Sequence, residues 1–391
     1  MQKPSKLAQI PQIRFAGFTE DWERRKLIDY LDVSRNKNKE EIFGKEDVLS
    51  VSGDYGIVNQ IEFQGRSFAG VSVVNYGVVD SGDVVYTKSP LKLNPYGIIK
   101  TNKGKPGIVS TLYAVYKPKD NVYSEFIQIY FEQDARMNNY MHPLVNKGAK
   151  NDMKVSDENA LQGEVCFPER EEQEKISTYF QSLDNLITLH QSKFEKLQKI
   201  KKSCLQNLFP QNNQNTPKIR FKNFSDEWVE SKLKENCIYK SSNLSNSDIE
   251  KEGIYDLYDA NGIIGKTKKN PQTLDYITII KDGSGVGRVR LLPKNTAFIG
   301  TMGALQSNNC INFLYVLLQK MDFSPFVNGA TIPHIYFSDY GNAINKIPKN
   351  SEEQEKIGAF FSKLDKLISL HQSKFEKLQK IKKACLQNMF V

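Results

Sequence analysis

Two glycine-containing stretches in the second half of the chain could bind phosphate. Residues 260–267 read Ala-Asn-Gly-Ile-Ile-Gly-Lys-Thr, which approximates a P-loop with alanine in place of the first glycine. A P-loop holds phosphate because its amides cap a following helix, but Pro271 would break such a helix here. Residues 282–287 read Asp-Gly-Ser-Gly-Val-Gly and lie between two strand-like runs. Both stretches favour hairpin turns over nucleotide sites.

The histidines and one Asn-Pro-Tyr triplet offer the remaining catalytic chemistry. Residues 94–96 resemble part of an amino-methyltransferase motif, but the second proline and an upstream cofactor loop are missing. His190 and His371 occupy matching positions of a repeat, which favours a pair inside a helical interface over a metal site. His334 is either a turn residue or a polar residue beside a ligand. No grouping of Ser, Cys, His and Asp predicts nucleophilic catalysis.

Basic residues cluster with hydroxyl and amide side chains in predicted loops of both halves. Lys and Arg contact DNA phosphates, whereas Ser, Thr and Asn can hydrogen-bond base edges. Any single one of them could equally be a solvated surface residue. The candidate DNA-binding residues are Thr87, Lys88, Ser89, Lys92, Lys100, Asn102, Lys103, Lys105, Lys266, Lys268, Lys281, Ser284, Arg288, Arg290, Thr331 and His334.

The composition of the chain points the same way. A net charge of +9 over 391 residues favours a polyanionic partner. The 5 cysteines are scattered singles, which fits a reducing cytoplasm and predicts neither a disulfide framework nor a zinc site. No long apolar run predicts a membrane span, and residues 1–6 lack the apolar run of a secretory leader. We therefore expect a cytoplasmic protein of two or three domains.

A long duplicated helix must position these residues. The sequence of residues 189–202 returns unchanged at residues 370–383. Apolar residues around each copy follow alternating steps of four and three, which is the heptad spacing of a coiled coil. A helix of about 40 residues spans roughly 60 Å, and its apolar seam needs a partner. The obvious partner is its own copy.

The order of the segments predicts how the two helices pair. The first helix runs directly into the second half, whose end runs into the second helix. The helices should therefore lie antiparallel, with a globular segment at each end and a pseudo-two-fold axis. The expected divisions are residues 11–167 (first domain), 168–209 (first spacer helix), 210–216 (linker), 217–347 (second domain) and 348–391 (second spacer helix).

Local patterns predict mixed α and β structure inside both globular segments. Residues 76–87 predict a strand, a turn and a strand, and residues 107–116 predict a single strand. Ser124 is a plausible N-cap of a helix. In the second half, residues 275–280 and 296–301 predict strands, and residues 309–319 predict a buried helix. The fold class is therefore α+β.

The whole arrangement resembles the specificity subunit of type I restriction-modification enzymes. The resemblance covers nearly the whole chain. It is carried by the motif Pro-x-Ile-Arg-Phe-x-x-Phe-x-x-x-Trp at residues 11–22 and 217–228, and by Glu-Gln-x-x-Ile at residues 172–176 and 353–357. The Gly-Asp-Val-Val-Tyr sequence ending at Tyr86 fits as well. One departure is that Pro348 stands one residue farther from its Glu-Gln pair than Pro168 does, which leaves the geometry at the start of the second helix open.

The resemblance implies a non-catalytic subunit with two target-recognition domains, each reading one half of a split double-stranded DNA target. It also implies that the helices set the gap between the halves and dock two methyltransferase subunits, and that restriction subunits join outside. S-adenosylmethionine, ATP and Mg would bind to those partners and not to this chain. Lengthening a spacer helix should lengthen the preferred gap. A self-sufficient enzyme and a coiled-coil scaffold without a DNA role are the alternatives; methyl-transfer assays of the chain alone and gel shifts on random DNA would discriminate them.

Overall fold

The structure, a computed structural model, falls into two compact units. It describes residues 10–147, 153–211 and 214–391. The first unit comprises residues 1–189 and 375–391, and the second unit comprises residues 190–374. Residues 1–6 and residues 212–213 of the expected linker lie outside the described residues.

The first half of the chain contributes most of the first unit. Its strands are β1 (Glu23–Lys26), β2 (Leu31–Val33), β3 (Leu49–Ser52), β4 (Gly56–Asn59), β5 (Gly77–Val79), β6 (Val84–Thr87), β7 (Ile99–Thr101), β8 (Gly107–Val109), β9 (Tyr113–Pro118), β10 (Asn146–Lys147), β11 (Met153–Lys154) and β12 (Glu164–Phe167). Its helices are α1 (Gln60–Gln64), α2 (Ser124–Tyr130), α3 (Asp134–Met141) and the long α4 (Arg170–Asn207), which continues into the second unit.

The second half repeats this plan with fewer elements. Its strands are β13 (Val229–Lys232), β14 (Cys237–Ser241), β15 (Tyr255–Tyr258), β16 (Ile263–Thr267), β17 (Tyr276–Ile280), β18 (Val289–Leu292), β19 (Thr296–Phe298), β20 (Met302–Ser307) and β21 (Ile344–Ile347). Its helices are α5 (Ile311–Lys320), α6 (Phe337–Tyr340) and the long α7 (Ser351–Asn388), whose last residues belong to the first unit.

Each unit contains a four-stranded antiparallel sheet with equivalent connections. The strand order is β2-β9-β6-β7 in the first unit and β14-β20-β17-β18 in the second. In each half of the chain a separate two-stranded antiparallel sheet pairs the first strand with the last strand, β1 with β12 and β13 with β21. Sequence identity between the sheets is low, so the equivalence rests on strand order and pairing register.

The long helices pack head to tail in each unit. In the first unit, Tyr179 of α4 contacts Cys385 of α7, and Asp184 pairs with Lys382 at 2.6 Å. In the second unit, His190 contacts His371, and Lys201 pairs with Asp365 at 2.6 Å. As residue numbers rise along one helix they fall along the other, so the antiparallel arrangement is confirmed. The predicted α+β class, with two mixed units and two long paired helices, is confirmed with it.

Several local predictions were wrong in detail. Residues 107–116 form two strands, β8 and β9, because a turn intervenes in which Tyr113 N–H donates to Ser110 O at 3.1 Å. Ser124 is the first helical residue of α2 and not its cap; the cap position is Tyr123. Strands β5 and β6 form as expected but pair in different sheets. The helix α5 and the strand β17 lie where they were predicted.

Candidate nucleic-acid interface

A bidentate ion pair joins the start of each half to its long helix. Arg14 donates from Nε and Nη2 to Glu172 at 2.8 and 2.7 Å. Arg220 donates in the same way to Glu353 at 2.7 and 2.8 Å. Both glutamates are about 1% exposed, and the hydrogen bonds to them raise the pKa of both arginines. The duplicated arginines are therefore structural residues, which the repeated Ile-Arg-Phe motif could have indicated.

The duplicated tryptophans are aromatic anchors. Trp22 lies edge-on to Phe390 with ring centroids 6.1 Å apart, and Trp228 lies edge-on to Phe209 at 5.6 Å. In both units the tryptophan is buried, and its phenylalanine partner lies two residues after a long helix that comes from the other half of the sequence. The tryptophans of the two Phe-x-x-x-Trp motifs therefore anchor the start of each half.

Main-chain and amide contacts repeat alongside these anchors. Ile13 N–H donates to Asn388 O at 2.8 Å, and Ile219 N–H donates to Asn207 O at 2.9 Å. We call these contacts, together with the arginine–glutamate pairs and the tryptophan anchors, the frame of each unit. The arginine–glutamate and main-chain hydrogen bonds of the frame differ between the units by about 0.1 Å, and the ring-centroid distances differ by about 0.5 Å.

A further repeated hydrogen bond forms despite the extra residue before the second long helix. The Gln173 amide donates to Pro168 O at 2.8 Å, and the Gln354 amide donates to Pro348 O at 2.9 Å. The same side chain reaches the same proline carbonyl although one more residue intervenes. The geometry at the start of α7 is therefore equivalent to that at the start of α4.

Three candidate residues of the first unit are buried. Thr87 accepts from Ile98 N–H at 2.9 Å through Oγ1 and is 4% exposed. Asn102 is 1% exposed, and its amide donates to two main-chain carbonyls at 3.1 Å, so it organises the loop that follows β7. Lys100 is 7% exposed, and burial lowers its pKa. Direct DNA contact was predicted for all three, but their side chains are enclosed by the sheet and its loops.

The other candidates of the first unit lie on two loops. Lys92 and Lys105 are exposed, and Ser89 is half-buried. Lys103 pairs with Glu125 at 3.5 Å, and Lys88 pairs with Asp157. Such surface ion pairs are worth about 0–1 kcal/mol and exchange readily for another anion. These loops keep the cationic character that the sequence predicted.

Two loops of the second unit meet and bring candidate residues together. The hairpin between β17 and β18 contains three glycines with positive φ, at residues 283, 285 and 287. It is joined to the loop of residues 327–336, because Gly283 N–H donates to Pro333 O and Ile335 N–H donates to Lys281 O, each at 2.9 Å. The candidates gathered here are Lys281, Ser284, Arg288, Thr331 and His334. The predicted hairpin turn is confirmed.

Arg288, which directly precedes β18, and Arg290 within β18 connect a third loop to this cluster. Arg288 donates to Ala260 O at 2.6 Å, and Arg290 donates to Ala260 O and Asn261 O at 3.3 Å each. The stretch that approximates a P-loop contains part of the turn between β15 and β16 (residues 260–262) and all of β16 (Ile263–Thr267). The two strands pair antiparallel, so a strand and not a helix follows the turn. Ile332 and Tyr336, 65% and 55% exposed, flank His334 and were not predicted; exposed apolar residues next to a polar loop were the available signal.

Two further basic candidates lie on a separate sheet of the second unit. Lys266 pairs with Asp256 across β15 and β16 at 3.5 Å, and Lys268 pairs with Glu252 at 3.4 Å. Both lysines are exposed. Lys266 lies in β16, and Lys268 directly follows that strand, so both are at the sheet of β16, β15 and β19 and not in the loop cluster around His334.

The spacer helices carry a histidine pair rather than a metal cluster. His190 Nδ1 and His371 Nδ1 are 2.8 Å apart, so one ring must donate to the other. Desolvation, then His371, Lys374 and Lys193, lower the pKa of His190. The predicted pairing is confirmed. Among residues 10–147, 153–211 and 214–391, no group of three His, Cys, Asp or Glu side chains could hold a metal ion, and no helix is both long and apolar enough to cross a membrane.

Comparisons with known proteins agree with this arrangement. Residues 225–381 match the family model of the type I restriction modification DNA specificity domain. The chain is 22% identical over 410 positions to a putative type I restriction enzyme specificity subunit, MjaX, of Methanocaldococcus jannaschii, with 97% of this chain and 93% of the relative covered. The fold matches that of the type I restriction-modification system S subunit from M. genitalium, with a TM-score of 0.65 at 15% identity over 98% of this chain and 99% of that chain. Residues 225–381 therefore match the domain model of this family, and the chain as a whole is similar to type I restriction-modification specificity subunits.

Proposed function

We propose that this chain is the DNA sequence-specificity subunit of a type I restriction-modification complex. Residues 11–167 and 217–347 act as two target-recognition domains, and each reads one half of a bipartite double-stranded DNA target. The spacer helices hold the two readers apart and dock methyltransferase subunits. The chain itself catalyses no reaction.

The observation that carries this proposal is the contrast between the frame and the loops. The frame repeats its ion pair, its aromatic anchor and its main-chain contact in both units. The loops that extend from the two equivalent sheets differ in length, sequence and contacts. A frame that is duplicated, with loops that differ between the two units, suits the recognition of two different half-sites.

The exposed cations of these loops account for affinity, and the polar side chains account for selectivity. In the first unit, Lys92, Lys103 and Lys105 are placed to contact phosphates. In the second unit, Lys281 and Arg288 border Ser284 and His334, whose side chains can reach base edges. Binding should weaken steeply with salt because phosphate contacts release counterions.

The duplicated helix sequence argues for two copies of one partner. Residues 189–202 and 370–383 are identical even at exposed positions, where packing of the seam does not require it. Two identical surfaces suit two methyltransferase subunits, and restriction subunits join this assembly. S-adenosylmethionine, ATP and Mg are then held by those partners.

A heptad insertion tests the spacer role. Duplicating residues 183–189 and residues 364–370 adds seven residues to each helix directly beside the facing pair His190 and His371, and preserves the apolar seam. Seven residues add about 10 Å of helix, which is about three base pairs of duplex at roughly 3.4 Å each. Methylome sequencing of a host that supplies the partner subunits should show unchanged half-sites. The gap between them should be longer by about two to three base pairs.

The matched control places the same seven residues in the linker after Gln214. This variant has one added heptad but unaltered helices, so its gap should equal that of the natural chain. An unchanged gap in the helix variant, with methylation still specific, would reject the spacer role while leaving the two recognition domains standing.

A further inference from the structure

One histidine of the second unit is held in a defined position by its main chain. His334 N–H donates to Asn328 O, and Asn328 N–H donates to His334 O, both at 2.8 Å. The residues on either side of His334 are bonded to residues 281–283 of the glycine hairpin. Four main-chain hydrogen bonds therefore fix this short segment, although it lies at the surface.

Its imidazole has a defined hydrogen-bonding polarity. His334 Nδ1 lies 3.2 Å from the main-chain oxygen of Ile332. A carbonyl oxygen only accepts hydrogen bonds, so in the neutral ring the proton is assigned to Nδ1. Nε2, on the opposite side of the ring, then carries a lone pair and can only accept. Many exposed histidines have no such fixed tautomer.

A glycine makes room for this arrangement. Gly329 has a φ of +86°, and a Cβ added there would lie 2.5 Å from Ile332 O and 3.0 Å from His334 Nδ1. Any larger residue would displace the carbonyl that orients the ring. Gly329 is thus a positioning residue for His334.

Apolar groups border the free acceptor. The Tyr336 ring packs edge-on against the imidazole at a centroid distance of 5.0 Å, and Ile332 exposes 65% of its surface. Nε2, as a hydrogen-bond acceptor, matches a base edge that presents a donor. In the major groove, adenine N6 and cytosine N4 are donors, whereas guanine O6 and thymine O4 are acceptors that would oppose the lone pair.

We propose that His334 Nε2 selects adenine or cytosine at one position of the half-site read by the second unit. This inference rests on the proposed function, because it requires that the loop of residues 327–336 faces DNA. Gly329 acts through the orientation of the ring, and Lys281 and Arg288 supply the phosphate contacts that accompany base reading.

A selection from randomised DNA tests the assignment. The full chain with its methyltransferase partners is compared with His334→Phe, which keeps an aromatic ring but has no acceptor. We expect the natural chain to prefer adenine or cytosine at one position of the second half-site, and His334→Phe to lose that preference alone. Gly329→Ala should relax the same position. The control is His142→Phe, which alters a histidine packed edge-on against Tyr96 at 5.6 Å in the first unit and should leave the second half-site unchanged.

A second measurement needs no protein variant. Replacing the selected base by its analogue without the amino group (purine for adenine, 2-pyrimidinone for cytosine) should weaken binding of the natural chain by roughly fivefold to tenfold. The same analogue should leave the affinity of His334→Phe unchanged. Random-DNA affinity serves as the reference for correct folding of every variant.

The possible results either support the role of His334 or overturn it. Loss of an adenine or cytosine preference, together with insensitivity of His334→Phe to the analogue, supports the inference. An unaltered preference in His334→Phe, or dependence of a guanine or thymine preference on His334, overturns it while specific binding persists. Binding of the natural chain without any sequence preference overturns the proposed function and this inference with it.

Discussion

Equivalent basic residues of the two units have different surroundings. Lys100 pairs with Val85 across β7 and β6, and Arg290 pairs with Thr278 across β18 and β17, at the same place in the equivalent sheets. Lys100 is buried, and its pKa is lowered by burial, whereas Arg290 reaches out to the carbonyl of Ala260. The repeat has retained a cation at this strand position but not its role, so a basic residue in one unit does not predict the function of its counterpart.

The lysines of the spacer helices show the same divergence. Lys382 pairs with Asp184 and with Glu132, each at 2.6 Å, while the equivalent Lys201 pairs, among the residues that the structure describes, with Asp365 alone, also at 2.6 Å. Burial acts to lower the pKa of Lys382, but Glu132 and Asp184 outweigh it and raise that pKa. The first unit has thus added a carboxylate from its globular part to an ion pair that both units share.

The largest expected difference between the units concerns the frame arginines. Arg14→Met leaves Glu172 buried without its cation, which should cost about 3–5 kcal/mol. Arg220→Met should cost about 1 kcal/mol less, because Trp228 Nε1–H still donates to Glu353 at 3.4 Å. Trp22 Nε1 has no hydrogen-bond partner within the described part of the chain.

The chain has 2 tryptophans, one in the frame of each unit, which provides the measurement. Denaturant unfolding followed by fluorescence, in backgrounds with Trp22→Phe or Trp228→Phe, reports each unit separately. The tryptophan substitution itself is the baseline of each series. Equal losses for the two arginine variants would show that the indole contributes nothing to holding Glu353.

A smaller difference is expected for the spacer lysines. Lys382→Met leaves Glu132 and Asp184 facing each other without a cation and should cost about 1–2 kcal/mol, given that Asp184 is half-exposed and partly screened. Lys201→Met removes one partner of a single pair and should cost under about 1 kcal/mol. The same fluorescence measurements apply, and a larger loss for Lys201→Met would contradict the added role of Glu132.

The smallest expected effect is a pH dependence of stability. It should arise from His190 and His371, which stand among apolar residues along the long helices. The pKa of His190 is lowered in the folded chain by desolvation and by His371, Lys374 and Lys193, so the unfolded chain binds this proton at higher pH. Stability should then fall as pH decreases from about 6.5 through the lower folded value. Thermal melts across this range should show the decline, and His190→Leu combined with His371→Leu should flatten it. A slope unaltered in the double variant would assign the decline to other groups.

Much of the architecture follows from sequence pattern alone. Heptad spacing without interior proline predicted α4, the duplication predicted its partner, and the order of the segments predicted that the two helices lie antiparallel. These predictions depend on residues close together in the chain, on stretches identical in two places, or on chain order. The frame was visible as repeated motifs, but its ion pairs were not, since Arg14 and Glu172 are 158 residues apart.

The candidate interface was less predictable. Exposure of a lysine depends on neighbours that come from distant segments: Lys100 of β7 is buried, and charges as distant in the chain as Glu132 and Lys382 act on its pKa. The cluster around His334 forms because the glycine hairpin meets a loop about fifty residues later in the chain, and neither stretch alone indicates the other. Residue types predicted that the surface would be basic and polar. Main-chain pairing between distant loops determined which of those side chains lie together.

The aromatic anchor of the first unit has a consequence for synthesis of the chain. Phe390, which packs on Trp22, is made only after residues 217–347 of the second half. Domains usually fold in the order in which the ribosome releases them. Here the first half emerges before the second half but completes its core after it, so the nascent first unit must stay soluble while the second half is made.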